Sequence, residues 1–79
     1  MDNMRILVVD DEIDFRSTLI KRMHKRDFKA TGVSSGEEAL EWLANEKTDV
    51  VILDFRMPGM SGLETLKQIK SRFPTIEVI

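Results

Sequence analysis

Val50-Val51-Ile52-Leu53 is a run of four apolar residues that ends in the carboxylate of Asp54. A continuous apolar run of this length is typical of a strand that is covered on both faces of a parallel sheet. Ile6-Leu7-Val8-Val9 is a second such run, and it leads into Asp10-Asp11-Glu12. In open α/β sheets the ligand site lies outside the carboxyl ends of the strands. The two runs therefore predict a group of carboxylates at one edge of a sheet.

The composition indicates one small domain and excludes several classes of protein. The chain has 79 residues, no cysteine and a net charge of −2, so neither disulfides nor zinc–thiolate sites can stabilise it. A pI near 5.3 argues against non-specific binding of nucleic acid. No apolar run approaches the ~18–20 residues that span a bilayer, and the polar N-terminus is no signal peptide. We therefore expect a cytoplasmic domain without a membrane segment.

Strands and helices alternate along the sequence. Strands are predicted at 5–9, 29–33, 49–53 and 75–79, and helices at 14–26, 35–46 and 61–72. The order β-α-β-α-β-α-β with short connections predicts a parallel sheet with right-handed crossovers, which is a doubly wound α/β fold of the flavodoxin-like type. In that strand order the first and third strands are neighbours, so their terminal carboxylates should converge.

Each predicted helix carries one apolar stripe. The stripes are Phe15, Leu19, Ile20 and Met23; Ala39, Leu40, Leu43 and Ala44; and Leu63, Leu66, Ile69 and Phe73. Ser-x-x-Glu capping boxes begin the second and third helices at Ser35 and Ser61, and Pro74 ends the third. We expect the first helix to cover one face of the sheet and the other two helices to cover the opposite face.

A carboxylate cluster of this kind predicts a cation. Neighbouring carboxylates repel one another unless a positive charge neutralises them, and hard oxygen ligands suit Mg²⁺. The alternative is that Asp10-Asp11-Glu12 caps the first helix, because acidic side chains stabilise a helix N-terminus. A calcium-binding loop is excluded, since Phe15 and Lys21 stand where such a loop needs Gly and Glu.

The sequence resembles the receiver domain of two-component response regulators. The resemblance is carried, in this order, by Ile6-Leu7-Val8-Val9-Asp10-Asp11-Glu12, Gly36-Glu37-Glu38-Ala39-Leu40 and Asp49-Val50-Val51-Ile52-Leu53-Asp54-Phe55-Arg56-Met57-Pro58-Gly59-Met60-Ser61-Gly62. It implies a phospho-accepting switch rather than a dedicated enzyme, with Asp54 as the phospho-acceptor. It also implies that Asp10, Asp11, Asp54 and the backbone carbonyl of Arg56 hold Mg²⁺.

The resemblance further implies partners and a missing part. A histidine kinase or a phosphotransfer domain would donate the phosphoryl group, and an output domain beyond the C-terminus, for example one that regulates transcription, would respond to it. Receivers carry a Thr or Ser after the fourth strand and a Lys at the end of the fifth, and this sequence has no counterpart of either. We therefore expect residues 1–79 to form the first two-thirds of a receiver, without its fifth strand and last two helices.

Other interpretations stay open. An aspartate-nucleophile phosphohydrolase would show an Asp-x-Asp signature at the first strand, whereas Asp10 is followed by Asp11 and Glu12. The chain could also serve interaction or folding alone, without accepting phosphate. An exposed edge at 75–79 and a sheet face covered by a single helix predict self-association. A basic cluster late in the first helix is either a solvated face or a docking surface for the phosphodonor; it comprises Lys21, Arg22, Lys25, Arg26 and Lys29.

Overall fold

The computed structural model describes residues 4–79 as a four-stranded parallel sheet with three helices. Residues 1–3, which the sequence assigns to the start of the domain, lie outside the described residues. The strands are β1 Arg5–Val9, β2 Lys29–Val33, β3 Val50–Leu53 and β4 Glu77–Val78, and the helices are α1 Ile13–Lys25, α2 Gly36–Asn45 and α3 Gly62–Arg72. The strand order is β2-β1-β3-β4 with every pair parallel. This order confirms the predicted flavodoxin-like arrangement, still incomplete at four strands.

The register of β1 and β3 brings their following residues to the same level. Val9 pairs with Leu53 at the ends of the two strands. The ladder continues one residue further, because the Asp54 N–H donates to the Val9 carbonyl at 2.9 Å. On the other side of β1 the Asp10 N–H donates to the Val33 carbonyl at 3.1 Å. Backbone hydrogen bonds alone therefore place Asp10 and Asp54 side by side.

The alternation of strand residues divides the core between the two faces of the sheet. On the α2 and α3 side the buried strand residues are Leu7, Val9, Val51 and Leu53, which pack with Ala39, Leu40, Leu43, Met57, Ile69 and Ile76. On the α1 side they are Ile6, Val8 and Ala30, against which Leu19, Ile20 and Met23 pack half-buried. The predicted distribution of the helices is confirmed. No α1 residue is fully buried, so α1 covers its face incompletely.

Three residues of the predicted stripes are exposed, which corrects the sequence analysis. Phe15 is 53% exposed and Leu63 is 52% exposed, and Ala44 is also exposed. Phe15 and Leu63 lie in the first turns of α1 and α3, at the ends of the helices rather than over the middle of the sheet. In the first turns of α3 the buried side chain is instead that of Thr65, which lies so close to Gly36 of α2 that a Cβ there would collide with it. A polar residue at a helix–helix crossing leaves no apolar signal in the sequence.

The helix caps agree in part with the predicted capping boxes. The Ser35 Oγ accepts a hydrogen bond from the Glu38 N–H at 3.1 Å, and the Ser61 Oγ accepts one from the Glu64 N–H at 3.1 Å. In a full capping box the Glu38 side chain would bond back to the N-cap residue, Ser35. At α2 it reaches Ser34 instead, because its Oε1 accepts hydrogen bonds from both the N–H and the hydroxyl of Ser34 at 2.7 Å.

Within residues 4–79, no helix has the length and hydropathy needed to cross a bilayer.

Candidate metal centre

Three aspartates meet at the carboxyl ends of β1 and β3. One carboxylate oxygen of each of Asp10, Asp11 and Asp54 lies within 4.8 Å of the others. Asp10 is buried, Asp54 is half-buried and Asp11 is exposed. The structure thus brings together all three side chains that the sequence predicted to converge.

Asp10 is the most constrained of the three. Its N–H is bound to the Val33 carbonyl, as described above, and its Oδ1 accepts a hydrogen bond from the Glu12 N–H at 2.9 Å. Its backbone carbonyl accepts a hydrogen bond from the Arg16 Nη1 at 2.7 Å. Because main chain and side chain are both held, this carboxylate has little freedom to turn away from its neighbours.

Asp54 is held by the loop that follows it. The Arg56 N–H donates to the Asp54 Oδ1 at 3.0 Å. In Asp10 and in Asp54, the hydrogen bond from the described part of the chain goes to Oδ1. The second carboxylate oxygen of each aspartate can therefore bind a ligand without loss of these local bonds.

An open pocket of about 540 Å³ contains the cluster; its lining residues are Asp10, Asp11, Glu12, Phe15, Asp54 and Arg56. Phe15 belongs to this pocket rather than to the core, which accounts for its exposure. A pocket of about 560 Å³ lies at the opposite end of the sheet, beside Thr48, Asp49 and Thr75. Volume alone therefore does not distinguish the two, whereas the three aspartates do.

The donor set fits a small divalent cation. Mg²⁺ binds oxygen at about 2.0–2.1 Å in an octahedron, so two of its ligands lie at most about 4.2 Å apart. The three carboxylate oxygens lie within 4.8 Å of one another, so they must move closer together when a cation binds. The capping alternative holds only in part, because Glu12, the N-cap of α1, makes no side-chain capping bond. Among the described residues 10–12, the Asp10 carboxylate is the one that accepts a hydrogen bond from a backbone N–H next to the helix.

Comparison with known proteins agrees with this geometry. The family model of the response regulator receiver domain matches residues 6–79. The chain belongs to the response regulator receiver family. Receivers are regulatory phospho-acceptor domains rather than dedicated enzymes, and they bind Mg²⁺ at an acidic pocket. The predicted family is thereby confirmed.

The chain spans only part of the length of two curated relatives that it matches. It is 43% identical to the DNA-binding transcriptional regulator NtrC of Escherichia coli (strain K12) over 74 residues, which are 94% of this chain and 16% of NtrC. It is 37% identical over 79 residues to sporulation initiation phosphotransferase F of Bacillus subtilis (strain 168). That match covers the whole chain and 64% of the relative.

Solved structures of receivers superpose closely on the chain. A response regulator receiver protein from Pseudomonas putida matches with a TM-score of 0.93 and 30% identity, over 99% of this chain and 66% of that one. The response regulator TrrA from Thermotoga maritima, solved in complex with Mg²⁺-BeF, matches with a TM-score of 0.90 and 37% identity, over 95% of this chain and 65% of TrrA. The carboxylate cluster is thus seated in a receiver fold.

Sequence reasoning missed Arg16, which touches the main chain of the cluster from α1. Arginine within a helix is ordinarily a solvated side chain, and no motif in the sequence distinguishes this one. Its contact depends on how closely α1 approaches β2, which is a tertiary property.

Proposed function

We propose that this chain is the first two-thirds of a receiver domain and that Asp54 is its phospho-acceptor. The observation that carries the proposal is the convergence of the Asp10, Asp11 and Asp54 carboxylates within 4.8 Å at the ends of two adjacent strands. The domain boundaries are supported by the matched share of its relatives, about 64% of the Bacillus phosphotransferase and 65% of TrrA.

The chemistry proposed for Asp54 is a phosphoryl transfer from a phosphohistidine. One Asp54 carboxylate oxygen attacks phosphorus, a P–O bond forms, and the P–N bond breaks with its electron pair left on the imidazole nitrogen of the donor. The hydrogen bond from the Arg56 N–H fixes Oδ1 and so presents Oδ2 for the attack. The product is an acyl phosphate at the end of β3.

The residues present fit the Mg²⁺ that receivers use. We propose Asp10, Asp11, Asp54 and the backbone carbonyl of Arg56 as its ligands, the last because Arg56 lines the same pocket. When bound, the cation supplies positive charge that offsets the repulsion between the carboxylates and an anionic phosphoryl group. Buried Asp10 provides the fixed ligand, and exposed Asp11 provides one that can adjust.

The proposed phosphodonor is a histidine kinase or a phosphotransfer domain. The likeness to TrrA, which has also been solved in complex with the histidine kinase ThkA, supports this assignment. The side chains of Lys21, Arg22, Lys25, Arg26 and Lys29 are all exposed, which keeps the docking interpretation of this basic cluster open. By analogy with NtrC, a DNA-binding regulator, an output domain that regulates transcription is proposed as the downstream partner.

The experiment that tests the proposal maps the modified residue. The chain is incubated with acetyl phosphate and Mg²⁺, and the adduct is located by mass spectrometry. We expect modification at Asp54 and its loss in Asp54→Ala. Asp14→Ala, which removes an acidic side chain from the first turn of α1, is the matched control and should be modified normally.

Modification that persists in Asp54→Ala would contradict the assignment of the phospho-acceptor. A chain that binds Mg²⁺ but is not modified would instead favour the non-catalytic interpretation. That outcome would show that the fold and its cation site do not suffice for phosphoryl transfer.

A further inference from the structure

Arg16 reaches from α1 to the backbone of the carboxylate cluster. Its Nη1 donates a hydrogen bond of 2.7 Å to the Asp10 carbonyl oxygen. That carbonyl belongs to the peptide unit that joins Asp10 to Asp11. A single side chain thereby constrains the main chain from which both neighbouring carboxylates project.

The stem of Arg16 is held in place by the surface of β2. A Cβ atom built on Gly32 would lie 2.8 Å from the Arg16 Cδ and 2.9 Å from its Cγ, and 2.7 Å from the Ile20 Cδ1. Separations below 3.0 Å require the neighbouring atoms to move, so a side chain at this position would displace the Arg16 stem and the end of Ile20. Gly32, which pairs with Val8 one residue before the end of the β1–β2 ladder, therefore makes room for the contact with Asp10.

We propose that Arg16 is a positioning residue for the metal centre, acting on Asp10 and Asp11 through their shared peptide. The inference rests on the proposed function, since it takes the three aspartates as the Mg²⁺ site. Arg16 holds the carbonyl, while the bonds of Val33 and Glu12 hold the Asp10 N–H and Oδ1. Loss of Arg16 leaves the peptide free to rotate, and the carboxylates must then be ordered when the cation binds.

The direction in which Mg²⁺ affinity changes when Arg16 is replaced distinguishes a positioning role from a simple electrostatic one. Arg16 is a cation near a cation site, so removal of its charge would by itself strengthen Mg²⁺ binding. Loss of positioning has the opposite effect. Residues that orient metal ligands typically cost about 10–100-fold in metal affinity when they are replaced. The two explanations therefore predict changes of opposite direction in the same variant.

Two variants and one control test the inference in the 79-residue chain. Arg16→Gln removes the bond and the charge, and Gly32→Ala displaces the Arg16 stem without any change of charge. Lys21→Gln removes the same charge from an exposed position on the same helix. Mg²⁺ affinity is measured by calorimetry well below the melting temperature of each protein. Metal-free ¹H–¹⁵N spectra report the Asp11 and Glu12 amides.

We expect Arg16→Gln to weaken Mg²⁺ binding about tenfold, Gly32→Ala to weaken it in the same direction, and Lys21→Gln to leave it unchanged or slightly stronger. Both weakened variants should shift the Asp11 and Glu12 amides without metal. Unchanged or stronger Mg²⁺ binding by Arg16→Gln would overturn the inference, even if that variant melts at a lower temperature. A wild-type chain without Mg²⁺ affinity would overturn the proposed metal site instead, and the metal-free amide shifts would then decide the role of Arg16 alone.

Discussion

Asp11 and Glu12 are adjacent exposed carboxylates in one pocket, but only Asp11 belongs to the three-aspartate cluster. A ligand that binds only the folded state stabilises it by about 2.7 kcal/mol at one hundred times its dissociation constant. We therefore expect Mg²⁺ to raise the melting temperature, and Asp11→Asn to remove most of that rise. Glu12→Gln, which removes the neighbouring charge, should keep it. Equal losses in both variants would indicate a diffuse response to negative charge rather than a defined site.

At the residue scale, the site aspartates could be predicted but their supports could not. Asp10, Asp11 and Asp54 follow apolar runs, and in a parallel sheet that is enough to place them together. The bonds that fix them come from Glu12, Arg16 and Arg56 through backbone atoms or a long side chain. Backbone donors carry no residue-type signal, so only the structure shows which bonds hold the cluster.

At the scale of single elements, the N-terminus of α2 contains a cap that responds to pH. Hydrogen bonds from the Ser34 hydroxyl and then from its backbone N–H hold the pKa of Glu38 below its ordinary value of 4.5. A carboxyl group whose pKa is lower in the folded state than in the unfolded state stabilises the folded state at pH values above its unfolded-state pKa. This contribution is lost as the pH falls through the folded-state pKa. The Glu38 cap should therefore lose its contribution to stability only at pH values below 4.5, the ordinary pKa of this carboxyl group.

Glu38→Gln tests this cap, because an amide cannot ionise but keeps an acceptor oxygen for Ser34. We expect the variant to be less stable than the wild type at pH 7 and the difference to shrink as pH falls below 4.5. Glu41→Gln, an exposed change on the same helix, controls for the general loss of negative charge. Urea unfolding at a series of pH values provides the measurement. A constant difference between wild type and Glu38→Gln across that series would refute the assigned cap.

The elements show where local patterns decide structure and where packing does. The predicted strand at 29–33 matches β2, and the predicted helices differ from α1, α2 and α3 by at most one residue at each end. The fourth strand was predicted at 75–79, whereas β4 is Glu77–Val78. Its start is delayed because the Ile76 N–H donates to the Phe73 carbonyl in a turn after α3. Such a turn depends on how α3 ends, and the apolar pattern does not encode it.

At the scale of the whole molecule, alternation of strands and helices was sufficient to predict the topology, because right-handed crossovers leave few arrangements. The pattern could not show how completely each face is covered. Val50 and Ile52 of β3 lie on the α1 side and are only half-buried. On the opposite side Val51 is fully buried. The faces differ because α1 alone covers one of them, whereas α2 and α3 together cover the other.

The incompletely covered face and the open edge predict self-association of the 79-residue chain. Among residues 4–79, β4 pairs only with β3, so its outer backbone groups can pair with another strand. Ile79, directly after β4, is 76% exposed, and Ile13 at the start of α1 is 63% exposed. Exposed apolar side chains together with an unpaired strand favour association with a second copy of the chain.

Sedimentation velocity over a concentration series should therefore show a dimer or larger species that grows with concentration. Ile79→Lys should shift the distribution toward monomer, since a charged residue at an edge opposes strand pairing. Thr75→Lys places the same charge at an exposed position two residues before β4 and should have the smaller effect. The near-UV spectrum of Trp42, the one tryptophan in the sequence, distinguishes ordered association from loss of packing. Its side chain packs against the α2 and α3 side of the core, so an ordered signal in the associated species shows that this packing survives association. A monomer at every concentration, with cooperative melting, would show that one helix protects the α1 face adequately.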